Sequence, residues 1–73
     1  MQRKDLTELL RLVTDERYLT AQTITSLGFA NDEYTRLSPE KLERFKAAWC
    51  DNITRAMDIL SQAQQLCEKS EQE

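Results

Sequence analysis

Apolar residues draw one long stripe through the second half of the chain. Leu42, Phe45, Trp49, Ile53, Ala56, Leu60, Ala63 and Cys67 follow steps of 3, 4, 4, 3, 4, 3 and 4. That spacing averages close to the helical repeat, so these residues share one face of a helix. Met57, Ile59 and Leu66 widen the stripe in its second half, while Glu43, Lys46, Asp51, Arg55, Asp58 and Gln62 fall on the opposite face. Ser38-Pro39 marks the start. A serine hydroxyl accepts a free N–H of the first turn, and a proline in the first helical position gives up an N–H that had no partner there. Glu40 suits the positive end of the helix dipole. Lys41 stands where a capping box needs Glu or Gln. No Gly or Pro follows Pro39. The pattern therefore predicts one helix over about 39–67, with a polar, frayed tail at 68–73.

The first half reads as shorter pieces. Leu6, Leu9, Leu10 and Val13 recur at the spacing of one face, broadened by Leu12, and predict a helix over about 3–18. Glu8 and Arg11, three residues apart, are placed to pair on its outside. Thr20 is a suitable cap for a short helix over 20–27, which Gly28 is placed to end. Glycine enters the left-handed conformation beyond a helix without a Cβ clash; in that arrangement Phe29 folds back onto Ile24. Asn31 caps a second short helix over 32–36, with Tyr34 and Leu37 as its apolar residues. The expectation is an all-α, single helical domain over 1–73. It is a small helical bundle: helix 1, short helices around a Gly-capped turn, and one long C-terminal helix.

Lengths raise the question of what covers the stripe. The long helix would run roughly 40 Å, whereas a compact chain of this length has a radius of gyration of about 11 Å. The residues before Ser38 do not easily cover such a stripe; a second copy of the chain is the simplest cover, and a bent or shorter helix packed on helix 1 within a monomer is the alternative. The interface of that homodimer, or with another protein partner, is assigned to Leu42, Phe45, Trp49, Ile53, Ala56 and Leu60. Trp49 and Phe45 form an aromatic patch that serves either as core against helix 1 or as an interface anchor. Asn52 borders the stripe, where an asparagine meets solvent or fixes helix register.

Composition narrows the function classes. The chain is 40% apolar and 32% charged, with one Gly, one Pro and a net charge of −3. So little turn material argues against hairpin-rich β structure. Basic and acidic residues are mixed along the chain, leaving no basic stripe for phosphate neutralisation. The longest apolar run, Ala47 to Cys50, falls far short of a membrane span. Met1-Gln2-Arg3-Lys4-Asp5 leads into no apolar core of the signal-peptide kind, so a cytoplasmic location without membrane contact is expected. Cys50 and Cys67, about 25 Å apart on one helix, cannot bridge within the chain. They read as small buried hydrophobes, with an intermolecular disulfide as the alternative. There is no histidine and no Gly-rich loop, and the carboxylates form no cluster. No catalytic residue, metal ligand or cofactor is expected, and the chain is read as not an enzyme. The expected function is that of a small non-enzymatic regulatory or inhibitory protein, acting through protein–protein contact as a homodimer.

The alternative comes from a resemblance. Leu19-Thr20, Leu27-Gly28-Phe29 and the run Asn31 to Leu37 resemble the entry, turn and second helix of the helix-turn-helix in MerR and excisionase proteins. The resemblance implies a dimeric DNA-binding transcriptional regulator using residues 20–37, with Asn31, Thr35 and Arg36 as DNA contacts. Two positions depart from the pattern. Ile24 stands where a small residue is expected, and Asp32 and Glu33 open the recognition helix with charges that repel phosphate. The run Leu37-Ser38, Leu42, Phe45 and Ala48 is also similar to part of the small Hha/YmoA regulators, which act by binding a DNA-binding partner. Their basic, histidine-containing motif is absent here.

Overall fold

Two long helices account for nearly the whole molecule. The computed structural model describes residues 1–71, and the side chains of residues 1–69. Helix α1 runs Arg3–Asp32 and helix α2 runs Pro39–Glu71; a short 3-10 turn, Tyr34–Arg36, joins them. The helices pack antiparallel into a rod of 54 × 14 × 12 Å with a radius of gyration of 16.5 Å.

The start of α2 follows the sequence closely. Pro39 is its first residue, and the Lys41 N–H donates to Ser38 Oγ at 3.1 Å. Glu40 lies in the first turn and Lys69 in the last, both matched to the helix dipole. The helix continues through Glu71, beyond the tail expected at 68; residues 72 and 73 lie outside the described residues.

Helix α1 differs more from expectation. It runs without a break through Tyr18–Thr20 and through Gly28, so the short helix expected at 20–27 is part of α1, while the one expected at 32–36 is reduced to the separate 3-10 turn Tyr34–Arg36. Gly28 does not adopt a positive φ. Phe29 does not fold back on Ile24; its ring meets Phe45 edge-on, with centroids 6.2 Å apart. Residues five apart on one helix point about 140° away from each other. The reason for continuity lies in packing. A lone glycine costs a helix interior about 1 kcal/mol, and the burial of Leu19, Thr23 and Ala30 against α2 spans that site on both sides. The helix ends where Asn31, Asp32 and Glu33 bring poor helix formers and negative charge to the negative pole. The Glu33 N–H still closes on Phe29 O at 2.9 Å before the chain turns. Leu37 is extended, and Pro39 disfavours helical backbone at Ser38.

The contact between the helices has a strict repeat. In α2 the residues turned inward are Leu42, Phe45, Trp49, Asn52, Ala56, Ile59, Ala63 and Leu66, in steps of 3 and 4. In α1 they include Leu9, Leu12, Glu16, Leu19, Thr23, Ser26 and Ala30, again in alternating steps of 3 and 4. A period of 3.5 is the signature of two helices wound gently around each other. The apolar stripe read from the sequence thus divides. Its first members face α1, but beyond Trp49 the seam passes through Asn52, Ile59 and Leu66, one residue before Ile53, Leu60 and Cys67. In α1, likewise, Leu9 and Leu12 face inward while Leu6, Leu10 and Val13 are exposed.

Candidate functional site

The seam is largely apolar, with a polar section between its middle and the closed end of the hairpin. Trp49 Nε1–H donates to Ser26 Oγ at 2.9 Å, and Asn52 Nδ2–H donates to Thr23 Oγ1 at 3.3 Å. The Thr23 hydroxyl in turn donates a hydrogen bond to the Leu19 carbonyl at 2.9 Å, leaving its lone pairs for Asn52. These bonds fix the antiparallel register, with Ser26 opposite Trp49 and Thr23 opposite Asn52. Phe45 stacks on Trp49 with centroids 5.8 Å apart. The apolar residues buried between the helices are few and small in total: Leu12, Leu19, Ala30 and Ala63. No large side chain among the described residues is fully enclosed.

Many of the remaining apolar side chains lie on one side of the rod. Ile24 and Thr20 of α1 and Ile53, Met57 and Leu60 of α2 line one shallow groove over the seam. Ile24 and Met57 are 65% and 66% exposed, and Ile53 and Leu60 nearly half exposed. The repeat extends this side along both helices. Leu6, Val13 and Leu27 sit whole heptads from Thr20, and Leu10 sits two heptads from Ile24. Cys50 and Cys67 bracket the α2 part at heptad spacing from Met57 and Leu60; Cys50 is exposed and Cys67 half-buried. The repeat thus places an apolar strip along one side, interrupted on α1 by Arg17. Where α1 contributes Arg17 and Thr20, α2 fills in with Met57 and Ile53.

The other side carries charged and polar side chains together with the exposed rings of Tyr18 and Phe29. Arg11 reaches Glu8 and, at 3.2 Å, Asp15 along the surface of α1. The Arg11 hydrogen bond holds the Glu8 carboxyl below the ordinary glutamate value, and Glu8 in turn raises Arg11. Tyr18, Gln22 and Arg55 line an open groove here, and Tyr18, Phe29 and Phe45 line a second one nearer the closed end of the hairpin.

These placements sort the residues singled out by the sequence. Leu42, Phe45, Trp49 and Ala56 of the expected interface are engaged by α1 within the chain. Ile53 and Leu60 stand on the exposed apolar side. Ile24, Leu27 and Met57 join them, though the sequence reading assigned none of the three to an interface. Their signal was present as a second stripe one residue behind the seam. It was hidden because two adjacent stripes on α2 merge into one broad apolar face. Residues 20–37 hold no helix-turn-helix, because α1 passes straight through the site of its turn. Asn31 lies in the last turn of α1, and Thr35 and Arg36 lie in the connecting 3-10 turn, where Arg36 pairs with Glu33 at 3.4 Å. The three form no recognition helix.

Among the described residues, no group of three or more Cys, Asp or Glu side chains is placed to hold a metal ion, and no helix is long and apolar enough to cross a membrane. Comparison with family models, with curated proteins and with solved structures finds no match to this chain.

Proposed function

We propose that the chain is a non-enzymatic protein–protein interaction module, regulatory or inhibitory in role, that works through the apolar side of its helical hairpin and self-associates there. One observation carries the reading. A long apolar strip lies in the open beside a seam that buries few apolar side chains and is partly closed by hydrogen bonds. Contiguous exposed apolar surface on a small domain marks a site of association. An isolated pair of helices buries too little to stand well alone. The strip is long, straight and only shallowly grooved, which suits another helix rather than a small molecule.

The test is solution mass by light scattering across a wide concentration range, with reductant present. The expected particle has twice the 8.6 kDa of the chain. Met57→Glu places a charge in the middle of the strip and is expected to weaken association at least tenfold, from the loss of a buried methionine alone. Arg11→Ala, on the opposite side, is expected to leave it unchanged. Equal masses for wild type and Met57→Glu at every concentration would remove the strip from the function.

A further inference from the structure

The geometry points to one occupant and one arrangement: a second copy of this chain, stacked apolar side to apolar side with like helices antiparallel, in a four-helix bundle. The inference rests on the reading above and adds the register, which brings Cys50 of each protomer level with Cys67 of its partner.

Surface area comes first. A compact monomer of this mass exposes about 4,700 Å². This chain exposes 6008 Å². The excess of roughly 1,300 Å² is within the range that each partner buries in an obligate homodimer, roughly 1,000–2,500 Å².

The register follows from the strip itself. On α1 the strip runs from Leu6 to Leu27, and its midpoint falls between Glu16 and Arg17. On α2 it runs from Cys50 to Cys67, and its midpoint falls between Asp58 and Ile59. Thr23 pairs with Asn52 across the seam. One heptad further along, that pairing sets Glu16 opposite Ile59 and Arg17 opposite Asp58. The two midpoints therefore lie at one level of the rod. Each helix determines its midpoint independently, and a strip centred on one level maps onto itself when the rod is reversed about that level. A twofold axis in the interface plane and across the helices performs this reversal.

Charge and shape agree with it. Arg17 is the one charge on the α1 strip, and Glu16, half-buried, borders the same groove. Reversal exchanges their levels, so Arg17 of each protomer meets Glu16 of its partner, twice. The same reversal brings Met57 level with the partner's Leu60, and Leu6 level with the partner's Leu27. A twofold axis running along the helices would instead lay α1 on the partner's α2 and leave every cysteine without a cysteine neighbour.

The cysteines provide the test. Within one chain Cys50 and Cys67 stand about 25 Å apart, beyond a short bismaleimide. With that reagent, in reductant-free buffer at low micromolar protein, the wild-type chain is expected to give a covalent dimer. Cys50→Ser alone and Cys67→Ser alone are each expected to give none. Mixing the two variants is expected to restore a dimer, through the one remaining Cys50–Cys67 pair. Cross-linking by either single variant alone overturns the register. So does a wild-type dimer by light scattering that does not cross-link. A dimer that is lost with Met57→Glu but shows the wrong cross-linking pattern overturns this inference and leaves the interaction reading standing. A chain that stays monomeric at high micromolar concentration overturns both the arrangement and the self-association on which it rests.

Discussion

At the scale of single residues, Gly28 separates what its type suggests from what its surroundings impose. A glycine after Leu27 suits a helix end, yet the residue sits inside α1 with helical backbone. A Cβ built there meets nothing within 4 Å. Gly28→Ala is therefore expected to stabilise the protein by about 0.5–1 kcal/mol, read from the urea unfolding midpoint. A glycine that truly ended a helix in left-handed conformation would give the opposite sign. Ser38 is the contrasting case. Its role was legible because a cap is a local device: one hydroxyl and one free N–H, three residues apart, need no other part of the chain.

At the scale of the helices, the seam sets the register with polar groups as well as apolar ones. The Asn52–Thr23 and Trp49–Ser26 bonds are the side-chain hydrogen bonds that cross from α1 to α2 among the described residues. Each requires one alignment, and a slide of either helix by one turn breaks both. A double-mutant cycle of Thr23→Ala and Asn52→Ala is expected to show a coupling of about 0.5–1.5 kcal/mol in urea unfolding. Additive effects would mean that the pair does not hold the register. The two-stripe character of α2 was only half legible. Apolar type alone follows Ile53, Leu60 and Cys67, whereas the observed seam takes Asn52, Ile59 and Leu66. The sequence leaves Asn52 either to meet solvent or to fix register, and only the threonine opposite it decides between them.

At the scale of the whole molecule, the dominant fact is elongation. The rod is 54 Å long and about a quarter as thick. A midpoint-centred bundle adds thickness and almost no length. Small-angle scattering of the dimer is expected to show a longest dimension close to that of one hairpin, with a cross-section clearly larger. A particle near twice the length would indicate end-to-end pairing and would exclude association along the strip.

The amino-acid sequence by itself determined that the chain is helical, where α2 begins, and that α2 carries a broad apolar face. These are properties of periodicity, capping and composition, which act within a few residues. Only the tertiary structure decided that the segments expected at 3–18 and 20–27 are one helix, with a 3-10 turn after it. Only it showed that Trp49 and Phe45 are used inside the hairpin, and that Ile24, Leu27, Ile53, Met57 and Leu60 are left outside. The reason is that each helix has two neighbouring apolar stripes of similar strength. Which stripe turns inward depends on the 3.5-residue winding of α1 against α2 and on hydrogen bonds between residues far apart in the chain. No stretch of sequence read alone contains that choice.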